Sequence, residues 1–200
     1  MALPSGSSKI AIVNLAFSYL GKSEAIHTLN EDPMVSRVSN MYDSLVQALL
    51  ISHAWGFTIK TEQLAEVNSA PINTGWSHQY QWPATALGVR RVYLQGNIVG
   101  YFEYKIQGDK ILTNLTGDIM CDFIRDPGPE FYPAYFVTLM SYYLAWSAAI
   151  LVTQKADVEA QQKAKYDFYR PVARNLDYQQ YPQEEIQRND VYWSHFTSWI

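Results

Sequence analysis

From Phe131 to Gln154 the chain carries no charged residue. A run of that length can cross a bilayer as a helix. Its polar residues argue for a different place. Tyr142 and Tyr143 fall at its middle, with Thr138, Ser141 and Ser147 around them. Membrane helices keep tyrosine at their interfaces instead. The segment therefore reads as a helix buried on most sides in a globular body, with no membrane contact. Ala145, Ser147, Ala148 and Ala149 keep part of it slim, which lets other helices approach closely. Such a helix needs other helices around it.

The sequence supplies them. A first helix is expected over residues 8–20, capped by Ser7 or Ser8 and stopped by Gly21. Ile10, Val13, Phe17 and Leu20 recur on one of its faces. A second helix starts at Asp32-Pro33, where the acid caps and the proline suits the first turn, and is expected over 33–55. Val38, Met41, Leu45 and Leu49 form its stripe, widened by Tyr42, Val46 and Ser52. The uncharged helix is expected over 133–152, after the break Asp126-Pro-Gly-Pro129. A last helix is expected over 156–174, with Ala156, Ala160, Ala164 and Phe168 four apart and Pro171 weakening its final turn.

Between the second and third helices the pattern is strand-like, over about 57–125. Phe57–Leu64, Gln79–Trp82, Val89–Gln95, Val99–Gln107, Lys110–Asn114 and Ile119–Arg125 read as strands, separated by a polar loop at 68–77 and other turns. Gly108-Asp109 fits a two-residue hairpin turn, and Thr116-Gly117-Asp118 a second turn. Helices, then strands, then helices define an α+β chain, with helices segregated from an antiparallel sheet. Two parts are expected: a main domain over 1–175 and an extended C-terminal tail over 176–200.

Composition narrows the function. A chain of 200 residues buries a real core without disulfides or metals. Its net charge of −4 argues against a dedicated nucleic-acid binder, which needs a basic surface. A lone cysteine, Cys121, excludes a disulfide framework and a cysteine-rich zinc site. The N-terminus has no basic segment leading into an apolar run, so no secretory signal is expected.

Chemistry is sparse. The histidines His27, His53, His78 and His195 stand too far apart in sequence for a helical metal pair, so no metal site is expected. No phosphate loop, dinucleotide fingerprint or nucleophile elbow occurs, so no cofactor is expected. Cys121 with His53 and a carboxylate would make a nucleophilic site only if the fold gathered them. Otherwise Cys121 is a buried core residue and His53 a packed or capping one. Glu184, Glu185 and Asp190 lie in the tail and read as solvated rather than catalytic. Arg90 and Arg91, on a strand, point to opposite faces and form no patch, although either could meet a partner.

The tail concentrates rings. Tyr178, Tyr181, Tyr192, Trp193, Phe196 and Trp199 stand among glutamine, asparagine and acidic residues. They either pack back on their own domain or dock on a neighbouring subunit or partner. The area such rings bury and the backbone entropy of ordering the segment have similar magnitudes. A single tail would therefore bind conditionally, and several together would bind well.

The run from Ala11 through Asn14 and Phe17 to Gly21, followed by Ile26 and Leu29, resembles the opening of the tail tubular protein A family. These are head-to-tail adaptors of short-tailed bacteriophages. The stretch Tyr42–Phe57, with His53, Trp55 and Phe57 after a leucine-rich turn, resembles their second helix and the corner after it. Trp82-Pro83, the hairpin from Tyr104 to Leu112, and Phe131-Tyr-Pro leading to Leu144-Ala145 complete the resemblance, which covers about 8–175. The tail has no counterpart among these motifs.

The resemblance implies a non-enzymatic structural virion protein at the head–tail junction, present in the host cytoplasm during assembly. It implies a ring of copies of itself, dodecameric in the family, with the portal protein on one side and the tail nozzle, a tail tubular protein B-like partner, on the other. DNA would pass through the ring without specific binding, and an acidic balance suits that. The six tail rings would be the portal-docking residues. The rival readings are another ring or collar component of the tail, an envelope-acting enzyme, and a peripheral membrane protein.

Overall fold

The structure is a computed structural model describing residues 8–22, 25–30, 32–69, 71, 75–96 and 103–180. Among the described residues, four helices form one body: α1 (Lys9–Tyr19), α2 (Pro33–Ile51), α3 (Ala134–Thr153) and α4 (Ala156–Gln180). Six strands among the described residues, between α2 and α3, form the other part: β1 (Ile59–Gln63), β2 (His78–Gln81), β3 (Gly88–Leu94), β4 (Tyr104–Gln107), β5 (Lys110–Thr113) and β6 (Ile119–Ile124). Short 3-10 turns at Gly56–Thr58 and Pro129–Phe131 lead into and out of the strand region. The fold is α+β, as expected.

The local start and stop signals work as their chemistry dictates. Ser8 Oγ accepts the Ala11 N–H at 3.2 Å, and Gly21 takes φ +78° just past α1. Asp32 Oδ1 accepts the Met34 N–H at 2.6 Å at the head of α2. Gly108, at φ +59°, turns β4 into β5.

α3 lies at the centre of the body, with α1, α2 and α4 packed around it. Leu139, Met140, Leu144, Ala145, Ala148 and Ala149 on α3 are fully buried. They meet Ile12, Val13 and Phe17 of α1 and Val38, Tyr42, Val46, Leu49 and Leu50 of α2 in one core. α4 lies against α3, antiparallel to it, with Tyr143 and Trp146 facing Tyr166 and Tyr135 facing Asp177. On α2, Met41 and Leu45 are only half-buried, and the core side is shifted toward Val35, Val38, Tyr42, Val46 and Leu50.

Several expected boundaries differ. α2 stops at Ile51 rather than at residue 55. Ser52 turns its hydroxyl onto the Leu49 carbonyl, and the Trp55 indole N–H folds back to the same carbonyl at 3.0 Å. The strands form two antiparallel three-stranded sheets, β1-β6-β3 and β2-β5-β4, rather than one. Alternate residues of β6 (Ile119, Cys121 and Phe123) share a small core with Val92 of β3, and with Tyr80 and Ile111 of the other sheet. Strand β4 begins at Tyr104, and residues 97–102 lie outside the described residues.

The largest difference is at α4. It runs to Gln180, so residues 176–180 belong to the body and not to a tail starting at 176. Pro171 sits inside this helix without ending it. The stripe Ala156, Ala160, Ala164 and Phe168 faces outward, and Phe168 is 76% exposed. The inward stripe is Gln162, Tyr166, Ala173 and Asp177, two of whose members are polar and gave no hydrophobic signal.

Candidate functional site

The far end of α4 is anchored by a buried acid. The Asp177 carboxylate accepts the Gly56 N–H at 3.2 and 3.0 Å and the Tyr135 hydroxyl at 2.7 Å. The Gly56 N–H belongs to the 3-10 turn that follows Trp55, where backbone donors have no partner in the turn itself. This one carboxylate therefore joins α4, α3 and the corner between α2 and β1. Arg174, a turn earlier, donates to the Ser52 carbonyl at 3.4 Å.

His53 lies against this anchor. Its ring is edge-on to Trp55 at 4.7 Å and to Tyr178 at 5.3 Å. Its Nε2 is 3.9 Å from Asp177 Oδ2, beyond hydrogen-bond reach, and has no other hydrogen-bond partner. Burial lowers the His53 pKa, and the neighbouring positive charges of Arg174 and Arg90 lower it further, against the opposing pull of Asp177. His53 is thus held as a packed neutral ring.

Cys121 is placed elsewhere. It is fully buried in the core between the two sheets, while His53 packs on the helical body. Burial, with Asp122 and Glu62 nearby, pushes its thiol up to about 12, which removes the thiolate a nucleophile needs. The fold does not gather Cys121, His53 and a carboxylate into one constellation. Among the described residues no group of histidine, cysteine and carboxylate side chains has metal-site geometry.

The two arginines of β3 separate as a strand requires. Arg91 donates from Nε at 2.9 Å and Nη2 at 2.6 Å to Asp122, which also accepts the Thr61 and Tyr93 hydroxyls. A bulge between Val89 and Arg91 turns Arg90 out to solvent.

Of the expected docking residues, Tyr178 is described: it is helical, 43% exposed and edge-on to His53. Tyr181, Tyr192, Trp193, Phe196 and Trp199 lie outside the described residues, as do Glu184, Glu185 and Asp190.

Sequence reasoning missed two surfaces. One is the outer face of α4, where Ala164, Phe168, Pro171 and Val172 fall on one side of the helix, all exposed. The four-residue spacing was a signal for it, but the same spacing also marks a core stripe. The other is the flank of α4 beside α3. There Tyr143, Trp146 and Tyr166 form a ring cluster with centroids 5.0 to 5.8 Å apart. Lys163 lies over Trp146 at 5.5 Å and Arg170 over Tyr166 at 5.9 Å. Ile150, one turn beyond Trp146, is 49% exposed.

No protein-family model matches this chain, and no curated protein matches it in sequence.

Proposed function

We propose that this chain is a structural virion protein, a head-to-tail adaptor of a short-tailed bacteriophage. In this reading, copies assemble as a ring, twelve by family analogy, between the portal and the tail nozzle, and DNA crosses the ring. It acts by assembly rather than by catalysis. The ordered motifs from Ala11 to Ala145 carry the family likeness. The observation that supports ring assembly is the outer face of α4, where Phe168 is 76% exposed beside Pro171 and Val172. A bulky apolar side chain aimed directly away from the core suits a neighbouring copy. The aromatic segment 181–200 is the arm that engages the portal.

The test is imaging and mass measurement of the full-length protein with and without portal. A monomer alone and a ring on portal is the expected result. Removing residues 181–200 leaves α4 and its Asp177 anchor intact, so the truncated chain should fold and lose portal attachment. Normal assembly of that truncation would overturn the arm. Phe168→Asp should fold normally and fail to close rings.

A further inference from the structure

The flank of α4 that faces Trp146 has a chemistry of its own. Lys163, Arg170 and Arg174 recur along it at helical spacing, and Tyr178 ends it. Asp167 is the acidic residue among them, and Lys163 Nζ holds it at 2.5 Å. Below them lie the half-buried rings of Tyr143 and Trp146 and the exposed Ile150. Arg90 adds positive charge at the His53 end. A face that sets basic side chains beside aromatic rings recognises an acidic peptide that also carries large apolar side chains.

The chain carries such a peptide. Residues 181–200 hold Glu184, Glu185 and Asp190 against the lone Arg188, and they interleave Ile186, Val191, Tyr192 and Trp193. The segment begins directly after Gln180, two residues past Tyr178, at one end of this flank. Going from Tyr178 back to Lys163 along the helix covers about 22 Å at 1.5 Å per residue. An extended chain of this length reaches up to about 65 Å. That reach covers Arg174, Arg170 and Lys163.

We propose that residues 181–200 dock on this flank of their own chain, as an acidic aromatic segment on a basic aromatic face. The proposal concerns the free chain and stands whether or not the adaptor reading holds. Under that reading the segment is the portal arm in storage, and the portal competes for it.

The test uses the full-length protein as an equal mixture of unlabelled and ¹⁵N-labelled chains. A carbodiimide couples lysine amines to carboxylates at zero length, and mass spectrometry reads the joined peptides. The expected result is Lys163 joined to Glu184, Glu185 or Asp190, with both peptides from the same isotope pool. Coupling of these carboxylates to Lys60, Lys105 or Lys110, or to no lysine, would overturn it. So would products of mixed isotope, which would assign the flank to a second copy. A second measurement is tryptic cleavage after Arg188. The double variant Lys163→Glu with Arg170→Glu should be cut at least five-fold faster than the natural chain, and Lys105→Glu at an unchanged rate. Equal rates for the double variant and the natural chain would sink the proposal. The cross-link map needs no variant and decides the matter even if the double variant folds poorly.

Discussion

Asp122 in the strand region and Asp177 in the helical body are both buried carboxylates, 4% and 2% exposed. They are held in different ways. Asp122 faces Arg91 through two hydrogen bonds, and its partners all come from β1 and β3, which flank its own strand. Asp177 takes its direct hydrogen bonds from neutral donors, a backbone N–H and a tyrosine hydroxyl, far away in sequence. One acid completes a sheet that its ladder already holds. The other decides where a helix ends. A buried acid of the first kind is a local detail, and one of the second kind sets the architecture.

The comparison can be broken by experiment. Asp177→Ala removes the carboxylate that accepts the Gly56 N–H and the Tyr135 hydroxyl, at a cost of about 2–4 kcal/mol. Urea unfolding should register that loss, together with reduced helix content as the end of α4 frays. A loss below about 1 kcal/mol would place Asp177 on a level with an ordinary surface acid.

Asp122→Ala should cost less, about 1–2 kcal/mol, because the Arg91 side chain is 43% exposed and can return to water, and the Tyr93 hydroxyl keeps Thr61 as a partner. Pairing it with Arg91→Ala should add almost nothing further, and a double-mutant cycle reads that coupling. Full additivity would show that the two residues act separately.

Pro171→Ala restores an N–H that can donate to the Asp167 carbonyl inside α4. It should stabilise the chain by about 1 kcal/mol, measured as a higher unfolding midpoint. A loss of stability would mean that the proline ring itself is packed.

The smallest effect is a pH dependence. His53 has a folded pKa below its ordinary value, so the unfolded chain binds the proton more readily. The stability that the neutral ring contributes is complete above about 6.5 and is lost as the pH falls through the lower folded value. His53→Gln should flatten the stability profile in that window. An unchanged profile would trace the acid sensitivity to other groups.

Much of the fold was readable in the residues because its signals are local. A serine or aspartate before a helix, a glycine past its end and a proline in its first turn act on the backbone beside them. That is why the starts of α1 and α2 and the β4–β5 turn fell where expected. The uncharged run from Phe131 marked the central helix, since no other position in a small body accepts so many apolar residues in sequence. Of the candidate site, Tyr178 was singled out among the aromatic residues. Its role against His53 was not visible, because the two belong to elements that are far apart in sequence.

The limits of α4 could not be read in the same way. Residues 175–180 are mostly polar and come soon after Pro171, so the local signals end the helix early. It continues because the Asp177 carboxylate meets donors brought there by α3 and by the corner after Trp55. The direction of the alanine stripe was equally undetermined. Four-residue spacing defines a helical face, but only the packing of the neighbours decides whether that face is covered. Here Tyr166, Ala173 and two polar residues turned inward, and Phe168 was left facing water. Periodicity and capping are properties of a short stretch of chain. A buried polar anchor and the sidedness of a helix belong to the assembled whole.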